Sequence, residues 1–170
     1  MSVFLLSEKL KYAFIHMNSV IKLLRVHQWI KNIFIFAPLF FTFSFDIVNL
    51  INVFIGFFLF SLAASSIYIL NDYHDINEDQ AHPTKKNRPL ASGVVSKSIA
   101  ISLMSILSVI SLGGAMLLSA SFTIILTIYI VMNIAYTFGL KHISILDISI
   151  IAIGFVLRIY AGSMLIENTP

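Results

Sequence analysis

The sequence predicts an all-α membrane protein, a polytopic bundle of transmembrane helices, on three observations. Of its 170 residues, 58% are hydrophobic, only 11% are charged and 15 are phenylalanine. A soluble domain of this length could not bury so much apolar surface. Long stretches without a charge alternate with short charged segments. The chain has no cysteine, which excludes disulfides and cysteine-ligated metal sites but fixes no cellular compartment.

The amino-terminal segment Phe4–Leu24 carries lysines among apolar residues at helical spacing. This pattern predicts an amphipathic helix that lies in the membrane interface. Residues 1–24 are therefore predicted to form an interfacial segment, and residues 25–170 the transmembrane domain. A signal peptide is disfavoured because the cationic start and the small-residue cleavage site are missing.

Five transmembrane spans are predicted, because a helix of about 20 apolar residues crosses about 30 Å of hydrocarbon. The predicted spans are Val26–Phe45, Ile47–Leu70, two within the uncharged stretch Ser98–Leu140, and Ile143–Ile166. The sequence LSASF, which begins at Leu118, is the predicted turn between the third and fourth spans. These two spans should form a helical hairpin.

The basic residues indicate the orientation of the bundle. They lie before the first span, between the second and third, and between the fourth and fifth, which is always the same side. By the positive-inside rule this side is the cytoplasm. The charged segment Asn71–Lys97 is then a cytoplasmic loop, and it is the predicted active-site loop.

The first half of this loop is acidic and reads NDYHDINED. Asp72, Asp75 and Asp79 share one face if the second helix continues into the loop, and Asn71 and Glu78 flank that face. Like charges near a helix carboxyl terminus destabilise it, whereas a bound cation would reverse the effect. Hard oxygen ligands of this kind suit Mg²⁺. The alternative is a solvated acidic turn.

The second half of the loop is basic, with Lys85, Lys86 and Arg88 in the segment PTKKNRP. These cations can hold phosphate oxygens, and an arginine can do so in bidentate fashion. The positive-inside rule also predicts lysines here whatever the function. Metal ligands followed by phosphate-binding cations together indicate a diphosphate ligand.

Four segments carry a resemblance to a known family. NDYHDINEDQAHPTKKNRPLASG resembles the first aspartate-rich motif, NDxxDxxxD followed by a basic NRPL-type segment, of the UbiA-type intramembrane prenyltransferase superfamily. RVHQWIKNIFIFAPLFF, YTFGLKHISILDI and GFVLRIYAG look most similar to its decaprenyl-phosphate phosphoribosyltransferases. The resemblance implies about nine helices and a second charged motif. We therefore expect further carboxyl-terminal helices, in the same or a separate chain.

The resemblance also implies site residues and chemistry. Asn71, Asp72, Asp75 and Asp79 match the positions that bind Mg²⁺, Asp72 and Asp75 being the expected catalytic residues, and Lys85 and Arg88 match the basic segment. The implied reaction moves 5-phosphoribose from phosphoribosyl diphosphate to a polyprenyl phosphate of the decaprenyl type and releases pyrophosphate. The implied setting is the bacterial inner membrane and cell-wall biosynthesis.

Other functions stay open from the residues alone. A prenyltransferase would use the same machinery to move a prenyl group from a prenyl diphosphate to an aromatic acceptor. A cation-binding transporter half or a noncatalytic fragment is a further alternative, although transporters tend to place ionisable residues near the bilayer midplane. Membrane lipids are expected partners, and nucleic acid is not.

Four further ionisable residues are predicted to bind substrate: Lys31, Lys141, Asp147 and Arg158. Each has a structural alternative. Lys31 could snorkel to the interface, and Lys141 could be a topological charge. Asp147 and Arg158 are separated by about 16 Å of helical rise, too far to pair with each other, so the alternative is pairing with other helices.

Overall fold

The computed structural model describes residues 17–140 and 143–166, which contain helices and no β-strand. The elements in order are α1 (residues 17–24), a 3-10 helix Val26–Phe36, α2 Ala37–Thr42, α3 Ile47–His74, α4 Ile76–Ala81, a short 3-10 helix Lys85–Asn87, α5 Lys97–Leu118, α6 Ala120–Phe138 and α7 Ser144–Ser163. The all-α prediction is confirmed. Most of the predicted interfacial segment, residues 1–16, lies outside the described residues.

Within the described part of the chain, four helices are long and apolar enough to cross a membrane, namely α3, α5, α6 and α7. The predicted hairpin is confirmed, because α5 and α6 are separated only by Ser119. The Ser119 hydroxyl accepts a hydrogen bond from the Phe122 amide at 3.3 Å and so caps the start of α6.

The first predicted span differs from the expectation of one α-helix. It is an 11-residue 3-10 helix followed directly by the six-residue α2. A 3-10 helix rises about 2.0 Å per residue, so the two segments together extend about 31 Å, close to the hydrocarbon thickness. The length needed to cross is therefore present, but in a different helical form.

The 3-10 form aligns one polar edge of this segment with α3. In a 3-10 helix, residues three apart lie one above the other, which places Trp29 and Asn32 on one line. Trp29 Nε1 donates to Ser65 Oγ at 3.0 Å, and Asn32 Nδ2 donates to Ser61 Oγ at 2.9 Å. Both partners lie on α3. The three-residue spacing of Trp29 and Asn32 in the 3-10 helix thus matches the four-residue spacing of Ser61 and Ser65 in α3.

Helix α3 is the centre of the bundle and packs against α5, α6 and the long 3-10 helix. The main core contains the fully buried rings of Phe60 on α3 and Phe122 on α6. Helix α7 packs against the long 3-10 helix at Gly162, where a Cβ atom would overlap the carbonyl oxygen of Ile35. Only glycine permits this close backbone approach.

A second core cluster lies below the charged loop. Leu90 and Val95 of the loop are buried with Ile69 of α3 and Ile76 of α4. This burial fixes the path of the loop against the end of the bundle, which positions its charged side chains.

Candidate functional site

A cavity of about 490 Å³ opens between α3, α6, α7, the long 3-10 helix and the charged loop. Its size is typical of ligand pockets. The charged and amide side chains that line it are Arg25, Lys31, Lys85, Arg88, Arg158, Asp75, Glu78, Asn71 and Asn133. The lining has five cations and two carboxylates, and the buried carboxylates of Asp72 and Asp79, which pair with Arg25 and Arg88, reduce the net excess to one positive charge. This excess favours an anionic ligand.

Two arginines at the cavity are held by buried carboxylates behind them. Asp72 and Asp79 are each 2% exposed. Arg25 pairs with Asp72 Oδ1, and Arg88 Nη1 lies 3.2 Å from the same oxygen and 2.8 Å from Asp79 Oδ2. Charge-assisted bonds of this kind fix both guanidinium groups.

The structure places the three predicted metal-ligating residues Asp72, Asp75 and Asp79 in two different positions. Helix α3 ends at His74 and α4 begins at Ile76, with Asp75 between the two helices. Asp75 lines the cavity, whereas Asp72 and Asp79 do not. Nowhere in residues 17–140 and 143–166 do three His, Cys, Asp or Glu side chains converge to hold a metal ion.

Three oxygen-bearing side chains remain on the cavity wall at the loop end. Asn71 Oδ1 accepts a hydrogen bond from the Thr137 hydroxyl of α6, which fixes the amide. Asp75 Oδ1 lies 2.9 Å from Nδ1 of His74, and Glu78 is exposed. Mg²⁺ takes one or two carboxylates and fills its other positions with waters and phosphate oxygens. The donor set of Asn71, Asp75 and Glu78 fits that pattern.

Arg25 is a cavity residue that sequence reasoning missed. It lies in the turn between α1 and the long 3-10 helix with φ 49° and ψ 45°, the left-handed region that non-glycine residues rarely adopt. Its guanidinium carbon lies 5.2 Å from the centre of the Tyr68 ring. Its partner Asp72 is 47 residues away along the chain. No local sequence pattern could have shown this pairing.

Arg158 forms the other end of the cavity and is only 5% exposed. Its Nε donates to Asn32 Oδ1 at 2.7 Å, Nη1 to the Gly154 carbonyl at 2.6 Å, and Nη2 to the Tyr129 hydroxyl at 3.3 Å. The rings of Phe60, Tyr129 and Phe155 surround the guanidinium at 5.1 to 5.6 Å. This arrangement holds a cation rigidly at the cavity wall.

The remaining predicted residues have different places. Lys31 lines the cavity. Asp147 does not line the cavity. It accepts a hydrogen bond at 2.7 Å from the hydroxyl of Tyr136, and Tyr136 is a cavity residue. Lys141 lies outside the described residues. Tyr129 on the cavity wall was also missed, because a tyrosine in an apolar helix carries no distinguishing pattern.

Comparison with known proteins finds several relatives that share one name. A protein of Mycolicibacterium smegmatis named decaprenyl-phosphate phosphoribosyltransferase is 43% identical over 152 residues, which cover 86% of this chain and 48% of the relative. Proteins of the same name from Mycobacterium tuberculosis (strain CDC 1551 / Oshkosh) and Corynebacterium glutamicum are 36% and 35% identical, over 85% and 86% of this chain and 50% and 46% of the relatives. The chain thus spans about half the length of these curated relatives.

The family assignment rests on a match to most of the chain. Residues 32–170 match the sequence profile of the UbiA prenyltransferase family. The match includes the four membrane-length helices and most of the cavity wall. These findings together describe an integral membrane protein, and the chain belongs to the UbiA prenyltransferase family.

Proposed function

We propose that this protein is a membrane transferase that acts on a Mg²⁺-bound diphosphate. The observation that carries the proposal is the composition of one cavity wall. Oxygen ligands from Asn71 and Asp75 line the same cavity as the cations Arg25, Lys85 and Arg88. A diphosphate needs both, because a metal ion binds its oxygens on one side and cationic side chains on the other.

Mg²⁺ would be held by Asn71 and Asp75, with Glu78 as a further oxygen donor. When bound, the ion neutralises charge on the diphosphate oxygens. Asp72 and Asp79 matched the family's metal-binding positions, but their buried ion pairs support a different role. We propose that these two carboxylates position Arg25 and Arg88 toward the diphosphate.

The preferred reaction transfers 5-phosphoribose from phosphoribosyl diphosphate to a polyprenyl phosphate. The bond between ribose C1 and the diphosphate oxygen breaks, a bond from C1 to a lipid phosphate oxygen forms, and pyrophosphate leaves. Arg25, Lys85 and Arg88 would stabilise the charge that develops on the departing pyrophosphate. The names of the relatives support this donor and acceptor.

The setting proposed for the reaction is the cytoplasmic side of a bacterial inner membrane. The positive-inside rule supports this placement, because Lys85, Lys86 and Arg88 lie at the loop end of the bundle. Since the chain spans about half the length of its relatives, the proposal includes further helices as the partner of this half, in the same or a separate chain.

Prenyl transfer to an aromatic acceptor is the second candidate. It is favoured by the family name and would use the same diphosphate site. The test is transfer by membranes in which the protein is expressed, with isotopically labelled donors. Mg²⁺-dependent movement of ribose phosphate to lipid, lost in Asp75→Ala, supports the preferred reaction. Movement of a prenyl group to an aromatic acid would contradict it.

A further inference from the structure

Arg158 is a buried cation with no carboxylate to neutralise it among the described residues. The ion pairs in this part of the chain involve Arg25, Arg88 and His74. Three neutral groups accept hydrogen bonds from the Arg158 guanidinium, namely a side-chain amide, a backbone carbonyl and a phenol hydroxyl. They orient the guanidinium but carry no negative charge.

A buried charge is costly unless an opposite charge accompanies it. Aromatic faces offset part of the cost, and three rings surround this guanidinium. Three of its five N–H groups donate in the contacts described above, so two remain. Because Arg158 lines the cavity, an anion in the cavity can provide the missing charge.

This end of the cavity is separate from the diphosphate end. Tyr129 and Tyr136 both line the cavity and are seven residues apart on α6, which corresponds to about 10 Å of helical rise. Tyr129 contacts Arg158, whereas Tyr136 contacts Asp147 near the start of α7. Thr137, next to Tyr136, holds Asn71 of the diphosphate end, so the Arg158 end lies about two helical turns away and can take a separate anionic group.

We propose that Arg158 is the principal residue of a second anion subsite, which takes a phosphate monoester. The assignment of the monoester rests on the proposed function. Both the 5-phosphate of the ribosyl donor and the phosphate of the lipid acceptor belong to this chemical class. The planar guanidinium suits a phosphate group, and Lys31 supplies another cation on the same cavity wall.

A dianionic monoester also fits the charge of the cavity better than the single carboxylate of an aromatic acid. Within the described residues neither Arg158 nor Lys31 forms an ion pair with a carboxylate, so this part of the cavity wall offers two positive charges. A prenyl diphosphate has no phosphate group apart from its diphosphate that could reach Arg158. The subsite therefore distinguishes the two candidate reactions.

The test measures binding of monoesters to the purified protein in lipid nanodiscs without Mg²⁺. Ribose 5-phosphate and farnesyl phosphate are the two probes, dimethyl phosphate is the diester control and benzoate the carboxylate control. We expect saturable binding of at least one monoester, and an affinity at least about 30-fold lower in Arg158→Gln. Asp75→Asn should retain the binding. The probe whose affinity falls more in Arg158→Gln shows whether the subsite takes the phosphate of the ribosyl donor or that of the lipid acceptor.

Thermal unfolding keeps the test decisive if Arg158→Gln does not fold. The wild-type Tm should rise steadily with the logarithm of the monoester concentration above the Kd, whereas dimethyl phosphate should leave the Tm unchanged. Absence of this rise, tighter binding of benzoate, or full monoester binding by a folded Arg158→Gln protein would overturn the proposal. The diphosphate proposal is judged separately, by Mg²⁺-dependent pyrophosphate binding that Asp75→Asn removes.

Discussion

The exchange Asp72→Asn tests whether the two neighbouring aspartates of the NDYHD segment have different roles. Asp72 is 2% exposed and one of its oxygens is shared by Arg25 and Arg88. Removing one partner of a buried ion pair costs about 3 to 5 kcal/mol. The two arginine side chains are 23% and 28% exposed, and asparagine still accepts a hydrogen bond, which together lower the expected cost to about 2 to 4 kcal/mol.

The matched variant is Asp75→Asn, three residues further along. The Asp75 side chain is 21% exposed and pairs with His74, whose side chain is 37% exposed, so the expected loss of stability is below about 1 kcal/mol. The free energy of unfolding of both variants can be measured by denaturant titration in detergent micelles. The reasoning is refuted if Asp72→Asn is as stable as the wild type, or if both variants lose the same stability.

Three further predictions use paired or single positions. Lys85 lines the cavity and Lys86 does not, so Lys85→Gln should weaken Mg²⁺-pyrophosphate binding about tenfold in isothermal titration while Lys86→Gln changes it less than twofold. Gly162→Ala should lower the free energy of unfolding by more than about 2 kcal/mol, because the new Cβ would overlap a backbone carbonyl. Gly113→Ala has open space around it, so it should leave the free energy of unfolding unchanged or raise it by up to about 1 kcal/mol. Denaturant titration of the two variants measures the difference. The chain has no cysteine, so a single Asn77→Cys should react with an impermeant maleimide only from the cytoplasmic side, and labelling of intact cells would contradict the proposed orientation.

The helical bundle could be predicted because hydropathy is a property of continuous segments. The hairpin turn at Ser119 could be predicted because LSASF is a polar break within the long uncharged stretch Ser98–Leu140. The 3-10 conformation of the first span could not be predicted from hydropathy. Its 3-10 geometry accompanies hydrogen bonds from Trp29 and Asn32 to serines of α3, which are distant in sequence.

The charged loop showed where the site lies but not which way each side chain points. Asp72 and Asp75 look equivalent by spacing, but Asp72 is buried against Arg25 and Arg88, whereas Asp75 lies on the cavity wall. Arg25 depends on a left-handed turn and on a partner in another helix. Orientation of this kind is set by tertiary packing, which short-range patterns do not contain.

Mg²⁺-dependent binding of phosphoribosyl diphosphate tests the central claim most directly. Isothermal titration of the protein in nanodiscs should show saturable binding of phosphoribosyl diphosphate with Mg²⁺, at least about tenfold weaker binding with EDTA, and loss of the Mg²⁺ effect in Asp75→Asn. The cavity would then be a metal-assisted diphosphate site. Binding that is equally tight with and without Mg²⁺, or that is unaffected by Asp75→Asn, would contradict this account.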